Sequence, residues 1–234
     1  MLAYFPEFLG AMIMILICDG AVANATLNKS GMKGAGSLQI SLAIGLSMLI
    51  PCCIVGTESG TYFNSALTLG LFIDGTLKLS QALGYIAAQF AGAFVGAVLV
   101  YVFFKDQFDA TEDPGTKLGV FATGPSIPNI PRNIVCEAII TFILVLVIKN
   151  LGAVAEPAAH KYLVSAVIAG IGLALGGTTG FALNPARDWA PRIAHDMLPI
   201  KGKGSSNWGY GIVTLLGPTL GAVCAVLVFK FVIA

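Results

Sequence analysis

Residues Gly176 to Arg192 read GGTTGFALNPARDWAPR and place a charged helix start inside an otherwise apolar region. Asn184 stands at an N-cap position and Pro185 at the first helical position, which are the residue types that favour a helix start. This helix reaches only to about Asp196 before a loop that begins at Pro199, so it is too short to cross a bilayer. A short helix that begins within a membrane directs its free N–H groups and its positive dipole end into a cavity. Channel and transporter sites are built in this way.

A weaker copy of this segment occurs earlier in the chain. Ser59 to Gly70 read SGTYFNSALTLG, with Asn64 standing 120 residues before Asn184. Other landmarks repeat in the same order, namely Glu7 with Glu137, and Gly92 and Gly96 with Gly217 and Gly221. The repetition indicates an internal duplication, and an odd number of spans in each half would invert the halves in the membrane. We expect one channel domain over 1–234, made of a first repeat (1–104), a connecting loop (105–130) and a second repeat (131–234).

The composition is that of an integral membrane protein. Of 234 residues, 56% are hydrophobic and only 11% are charged, and the mean hydropathy is +0.86. Apolar runs long enough to cross about 30 Å of hydrocarbon occupy Pro6 to Leu27, Gly34 to Thr57, Leu79 to Phe104, Asn133 to Ile148, Tyr162 to Ala186 and Gly204 to Phe229. With the two half-helices they predict an all-α membrane protein without a soluble domain. A net charge of +1 gives no reason to expect a nucleic-acid partner.

Three carboxylates fall within the predicted spans. Asp19 lies about three turns into the first span, where a carboxylate is a candidate for function. The alternative, which the sequence favours, is that it accepts hydrogen bonds from neighbouring backbone or lies in the outer vestibule. By the repeat, Glu7 and Glu137 each lie beside the non-helical segment of their own half, where they can accept orphaned backbone N–H groups. We favour that role over a proton relay, because buried backbone requires partners.

The remaining reactive side chains indicate no chemistry. The five cysteines lie in apolar spans without a CxxC pair, which is typical of buried small hydrophobic residues. His160 and His195 are isolated, with neither metal-ligand spacing nor a nucleophile elbow beside them. We therefore expect no metal, no cofactor and no enzymatic activity.

Small residues and loops complete the outline. Small residues recur every fourth position in the third and sixth spans, which predicts close helix crossings; they are Gly84, Ala88, Gly92, Gly96, Gly217, Gly221 and Ala225. The sequence predicts a long loop between the halves, Lys105 to Arg132, and a short connection, Asn150 to Lys161.

The half-helix segments, the paired Glu landmarks and the six-span inverted repeat together resemble the major intrinsic protein (aquaporin) family over essentially the whole chain. GFALNPARDWAP is a highly specific match to it. Asp188, which follows the Arg of that motif, looks like a marker of the aquaglyceroporin branch, and FATGP before the fourth span is similar to that branch as well. Within it, the chain most resembles the bacterial glycerol uptake facilitators. The resemblance implies a right-handed bundle of six transmembrane helices and two half-helices.

The resemblance also implies roles for particular residues. The pore centre would consist of Asn64, Ser65, Ala66, Asn184, Pro185 and Ala186, with the two Asn amides donating to a passing hydroxyl or water. The selectivity filter would consist of Ile44, Gly172, Phe181 and Arg187. A homotetramer with one pore per subunit would lie in a bacterial plasma membrane with its termini in the cytoplasm. The distribution of Lys and Arg between the loops favours the opposite orientation, and here we follow the family.

Four positions depart from the pattern of glycerol facilitators. Ser65 replaces a Pro, Tyr62 stands where a His is usual, Glu58 replaces an apolar residue, and Ile44 stands where a large aromatic is usual. Without that aromatic, the filter is expected to be less selective. Ser65 brings an N–H and a hydroxyl that Pro lacks, and we expect Asn64 to be held less rigidly as a result.

The predicted function is a passive channel for small neutral solutes, chiefly glycerol and related polyols, with water, that excludes ions and protons. The lipid bilayer and these solutes are its expected partners. Two alternatives stay open. The main cargo could be dihydroxyacetone, urea or protonated lactic acid, or the chain could be a proton-coupled secondary transporter that uses the three intramembrane carboxylates. A purely structural membrane protein would show no permeation at all.

Overall fold

The computed structural model describes residues 4–56 and 60–233. These residues form helices and no strand, in the order α1 (Phe5–Thr26), α2 (Gly36–Val55), α3 (Ser65–Ile73), α4 (Leu79–Phe103), α5 (Lys105–Ala110), α6 (Pro114–Phe121), α7 (Ile130–Val154), α8 (Pro157–Leu175), α9 (Pro185–Met197) and α10 (Trp208–Val228), followed by a π-helical turn, Phe229–Ile233. Six of the helices, α1, α2, α4, α7, α8 and α10, are long and apolar enough to cross a membrane. The prediction of six spans with two half-helices, α3 and α9, is confirmed.

The boundaries of two predicted segments were wrong. The segment expected as one loop from Lys105 to Arg132 contains α5 and α6, and α7 begins at Ile130. Asp113 caps α6 by accepting a hydrogen bond from the Thr116 N–H at 2.7 Å, with Pro114 in the first turn. This short helix contains polar residues, so it does not appear as an apolar run in the sequence; its signals are the capping Asp and the following Pro.

The fifth span was also placed too late. The apolar run from Tyr162 to Ala186 predicts a helix there, whereas α8 covers Pro157–Leu175 and the following nine residues are not helical. Pro157 occupies the first helical position, where its missing N–H costs no hydrogen bond. His160 and Lys161, the fourth and fifth residues of α8, are polar, so the apolar run in the sequence begins only after them. The connection to α7 is therefore only Ala155 and Glu156.

Glycines let two pairs of long helices cross closely. A Cβ on Gly92 of α4 would lie 2.0 Å from the Phe8 carbonyl oxygen of α1, and a Cβ on Gly221 of α10 would lie 2.2 Å from the Ala138 carbonyl oxygen of α7. Both distances are far inside van der Waals contact, so no larger residue fits without displacing a helix. These crossings hold α1 against α4 and α7 against α10.

An ion pair fixes the far end of the first half-helix. Asp74 follows α3, and its carboxylate lies 2.7 Å from the Lys149 ammonium of α7. Burial raises the pKa of Asp74, but hydrogen bonds from Lys149 and Thr76 outweigh it and hold the pKa below its usual value. The half-helix α3 is therefore anchored at its C-terminal end as well as at its N-terminal end.

Candidate pore and filter

The two half-helices meet at their N-terminal ends through Asn64 and Asn184. The Asn64 Nδ2 donates to the Leu183 carbonyl at 3.0 Å, and the Asn184 Nδ2 donates to the Phe63 carbonyl at 2.8 Å. Each bond crosses from one half of the chain to the other. Because a side-chain amide has two N–H donors, each Asn keeps one donor beyond this bond. Both Asn side chains line the central cavity.

The amide oxygens cap the helices from which they extend. Asn64 Oδ1 accepts from the N–H groups of Ala66 at 3.0 Å and Leu67 at 3.1 Å, and Asn184 Oδ1 accepts from Ala186 N–H at 3.0 Å. An N-cap of this kind satisfies otherwise free helix donors and fixes the side chain. The amide NH₂ of each Asn is thereby turned away from its own helix.

The backbone before each Asn has the same unusual shape. The third and first residues before Asn64, Thr61 and Phe63, have positive φ angles of 55° and 48°, and the equivalent Phe181 and Leu183 have 42° and 57°. Positive φ is uncommon in residues other than glycine and requires support from its surroundings. The repetition of this pattern in both copies shows that the duplicated sequence folds into duplicated local structure.

Two buried glutamates supply that support. Glu7 accepts hydrogen bonds from the N–H groups of Tyr62 and Phe63, each at 2.9 Å. Glu137 accepts from the N–H groups of Ala182 at 3.0 Å and Leu183 at 3.1 Å. Each carboxylate thus satisfies two backbone donors of a non-helical segment within its own half.

Ser65 connects the two half-helices. Its N–H lies 3.1 Å and its hydroxyl 3.3 Å from Asn184 Oδ1, and the hydroxyl also accepts from Ala186 N–H at 3.1 Å. The extra donors therefore bind Asn184 of the other half, while the caps of Asn64 remain intact. Pro185, at the equivalent position of α9, has no N–H with which to return these bonds.

The cavity beside the two Asn residues has an apolar wall. Besides Asn64 and Asn184, it is lined by Met14, Cys18, Ile44, Ser47, Met48, Tyr62, Phe63, Leu67, Leu144, Ile148, Val164, Ile168, Phe181, Ala182, Leu183 and Arg187. Three of the four predicted filter residues, Ile44, Phe181 and Arg187, are in this set. The fourth, Gly172, contributes space instead of a surface. A Cβ on Gly172 would lie 2.8 Å from Phe181 Cζ, so the ring of Phe181 occupies the room that glycine leaves.

Asp19 is the partner of Arg187, which corrects the interpretation that we favoured. Its Oδ1 lies 3.4 Å from Arg187 Nη2, and the Asp19 residue is fully buried. Within the described residues, no N–H or hydroxyl donates a hydrogen bond to either carboxylate oxygen, so Asp19 is not held by neighbouring backbone. Arg187 also donates from Nη1 to the Phe121 carbonyl at 3.4 Å.

The residue after Arg187 organises a second buried network. Asp188 Oδ2 accepts from the N–H of Thr123 at 2.7 Å and from its hydroxyl at 2.8 Å, and Oδ1 accepts from Arg192 Nε at 2.9 Å and from the Thr214 hydroxyl at 2.9 Å. Asp188 and Arg192 are both fully buried. The Asp and the FATGP segment, noted separately as branch markers, are thus in direct contact.

Three contacts of this site were not predicted from the sequence. They are the pairing of Asp19 with Arg187, the bond from the same guanidinium to the Phe121 carbonyl, and the bonds from Thr123 to Asp188. The FATGP motif was the only signal available for the last two. Tyr62 lines both this cavity and a second, larger one, which His160 and Lys161 also line. Glu58 lies outside the described residues.

The sequence of this chain can be aligned with those of known proteins over almost its whole length. A family model described as "Major intrinsic protein" matches residues 1–229. The chain is 43% identical to the glycerol uptake facilitator protein of Streptococcus pneumoniae serotype 4, over 97% of each chain. It is 44% identical to the glycerol uptake facilitator protein of Bacillus subtilis strain 168, over 94% of this chain and 81% of the relative.

A solved structure is similar as well. The X-ray structure of the aquaglyceroporin from Plasmodium falciparum aligns with a TM-score of 0.85 at 28% identity, and the alignment covers 100% of this chain and 97% of that one. The similarity in sequence and the similarity in structure therefore extend over both halves and over the segment that connects them.

Proposed function

This chain belongs to the major intrinsic protein family, and from that premise we propose that it is a passive channel for small neutral solutes, chiefly glycerol and related polyols, with water. The observation that carries the proposal is the pairing of the two Asn amides, each with a donor left over, inside a cavity with an apolar wall. A polyol has hydroxyls for such donors and CH groups for such a wall. The relatives named glycerol uptake facilitators support the same cargo.

The filter in this proposal consists of Ile44, Gly172, Phe181 and Arg187. Arg187 donates to solute hydroxyls, while Phe181 contacts the carbon backbone from a position that Gly172 leaves free. Ile44 is smaller than an aromatic ring, so the filter discriminates less strictly between linear polyols and bulkier solutes. The pore centre consists of Asn64, Asn184 and the residues that follow each of them.

Exclusion of ions in this proposal depends on the half-helices. The N-terminal ends of α3 and α9 meet at the Asn pair, and each end carries about half a positive charge. Cations and protons therefore meet an unfavourable potential, while neutral molecules do not. Arg187 adds less to this barrier than its charge suggests, because Asp19 lies beside it.

The engagement of the three intramembrane carboxylates argues against a proton-coupled transporter. Glu7 and Glu137 each accept two backbone N–H groups, and Asp19 is paired with Arg187. A proton relay needs a carboxylate that can release these partners. We further propose that the protein catalyses no reaction, assembles as a homotetramer and lies in the plasma membrane with its termini in the cytoplasm.

Stopped-flow light scattering on proteoliposomes tests the function. Purified protein is reconstituted, and the permeabilities to water, glycerol, dihydroxyacetone, urea and lactic acid are compared with those of empty liposomes. We expect glycerol permeability well above that of empty liposomes and unaffected by an uncoupler. Accumulation of glycerol against its gradient that collapses with uncoupler would instead indicate the transporter. A larger increase in permeability to urea or lactic acid than to glycerol would show that glycerol is not the principal cargo.

Ile44→Trp tests the filter. An aromatic ring at residue 44 should narrow the cavity and shift preference toward linear polyols over bulkier solutes. Leu42→Trp, which changes a residue two positions away on the same helix that is 46% exposed, is the matched control. Equal ratios of glycerol to bulkier polyol permeation in wild type and Ile44→Trp would remove residue 44 from the filter.

A further inference from the structure

The two members of the Asp19–Arg187 ion pair differ in their access to the cavity. Arg187 lines the cavity, and so does Cys18, the residue before Asp19, whereas Asp19 itself does not. The carboxylate lies on α1 with 0% exposure, 3.4 Å from the guanidinium. In the proposed channel, a permeating solute would contact the cation of the pair, whereas the anion does not line the cavity.

Asp19 depends on Arg187 for nearly all of its stabilisation. No N–H or hydroxyl of the described residues donates a hydrogen bond to its oxygens, and the Cys18 thiol beside both groups is only a weak donor. Asp188, the nearest other acid along α9, is already engaged by Thr123, Thr214 and Arg192. A buried carboxylate with one cationic partner is retained at a cost in desolvation, which calls for a functional account.

The pair changes what the filter presents to a solute. An unpaired guanidinium in an apolar cavity would be a strong binding group for small carboxylates, because charge-assisted bonds strengthen in a low dielectric. With Asp19 beside it, the local net charge is zero, while Arg187 still lines the cavity and has N–H donors beyond those that face Asp19 and Phe121. The donors that suit a hydroxyl are kept, and the charge that would hold an anion is cancelled.

We propose that Asp19 is a specificity-determining residue, a buried counter-ion that keeps the filter from retaining small carboxylate anions while Arg187 binds neutral solutes. This inference rests on the proposed channel function. Asp19 acts through Arg187 and does not touch the solute. The proposal concerns formate and acetate as representatives of the anion class.

The test measures glycerol permeation in the presence of formate. Proteoliposomes containing wild type or Asp19→Asn are mixed with glycerol at pH 8, with sodium formate on both sides and sodium gluconate as the osmotic control. We expect wild type to be insensitive to formate. Asp19→Asn should be inhibited at a formate concentration at least roughly tenfold lower than any that affects wild type, because the guanidinium charge is no longer compensated.

Three further proteins separate this role from a structural one. Asp74→Asn makes the same substitution in another ion-paired, largely buried aspartate, the partner of Lys149, and should leave glycerol permeation insensitive to formate. Asp19→Asn combined with Arg187→Gln should lose the sensitivity again, because no charge remains to bind the anion. If Asp19→Asn does not assemble, Asp19→Ser removes the same charge with a smaller side chain and has the same expected result.

The outcomes distinguish the two proposals. Wild-type glycerol permeation that formate inhibits, or an assembled Asp19 variant that stays insensitive, overturns the counter-ion proposal and leaves the channel intact. Reduced thermal stability of Asp19→Asn without formate sensitivity shows a structural role only and overturns it as well. Absence of glycerol permeation in wild type contradicts the channel function, and the same inhibition series is then measured on water permeation.

Discussion

The two half-helix starts share one backbone design and differ in charge. Asn64 and Asn184 cap their helices and cross-bond in the same way, and one glutamate supports each preceding segment. In the first copy, the third and fourth residues after the cap are Leu67 and Thr68, whereas in the second copy they are Arg187 and Asp188. The repeat thus supplies the frame of the pore, and only the second half-helix start carries charged residues at these two positions.

This difference determines how each copy is anchored. The Thr68 hydroxyl donates to the Asn64 carbonyl and accepts from Gln89, both at 2.9 Å, so at this position the first copy is held by neutral bonds. The second copy is held by the Asp188–Arg192 pair and by Thr123 from the segment that connects the halves. Substitutions at equivalent positions should therefore have unequal effects.

The largest difference is expected between Asp188→Ala and Thr68→Ala. Removing Asp188 leaves the buried Arg192 guanidinium without its counter-ion, which typically costs about 3–5 kcal/mol. Removing the Thr68 hydroxyl leaves Gln89 bonded to Glu7 at 2.7 Å, so the loss should be about 1 kcal/mol. Thermal unfolding and size-exclusion profiles of the two variants measure this. Equal stability losses would show that the charged network does not anchor the second copy.

A second pair of variants tests the part that the copies share. In Glu7→Gln and Glu137→Gln, one carboxylate oxygen becomes an NH₂ that faces a backbone N–H, leaving one buried donor unsatisfied. Each variant should lose about 1–3 kcal/mol of stability, and the two losses should be similar. Thermal unfolding again measures them, with glycerol permeation as the functional readout. A loss confined to one variant would mean that only that glutamate supports its segment.

The third prediction concerns space in the filter. Gly172→Ala should push the Phe181 ring into the cavity, lower glycerol permeation severalfold and cost about 1–2 kcal/mol through overpacking. In the first half, Cys52 is equivalent to Gly172, and Thr61 is equivalent to Phe181. Because Thr61 is smaller than a phenylalanine, residue 52 can carry a side chain. Cys52→Ala is the control and should conduct like wild type. Unchanged permeation in Gly172→Ala would separate the Phe181 ring from the conducting path.

Much of the fold could be predicted from the sequence. Apolar runs gave six spans, and the Asn caps inside apolar surroundings gave the two half-helices, because both signals are local and repeat. Helix ends failed where local chemistry competes with apolarity. The start of α8 was not predicted because His160 and Lys161 interrupt the apolar run. The helix α6 was not predicted because the sequence around Asp113 is polar.

The pairings across the site were less accessible. The Asn pair follows from the repeat, since each copy predicts its partner. Asp19 and Arg187 belong to different halves, and no spacing or motif couples them, so only their positions in space reveal the ion pair. The interaction of Ser65 with Asn184 likewise depends on how the two half-helices face each other. Local propensity describes Ser65 as a helix-start residue and gives no information about its acceptor.

The smallest effect is expected from making the first copy identical to the second at Ser65. Ser65→Pro removes the N–H and the hydroxyl that donate to Asn184 Oδ1. The same hydroxyl also accepts from Ala186 N–H, so this bond is lost as well. Asn184 Oδ1 and Ala186 N–H remain bonded to each other at 3.0 Å, so no buried group loses its last partner. The lost bonds should cost about 0.5–1.5 kcal/mol.

Proline at the first helical position also stabilises by restricting the unfolded chain, by about 0.4–1 kcal/mol where the native angle suits it. The two effects oppose each other, so the stability of Ser65→Pro should lie within about 1 kcal/mol of wild type. Ser65→Ala keeps the N–H but gains no such restriction, and serves as the comparison. Because the Asn64 cap and both cross-bonds persist, glycerol permeation should stay within a few fold of wild type in both variants. A stable, assembled Ser65→Pro protein that conducts nothing, beside a conducting Ser65→Ala, would mean that the Ser65 N–H orients Asn184 in a way that its remaining bonds do not.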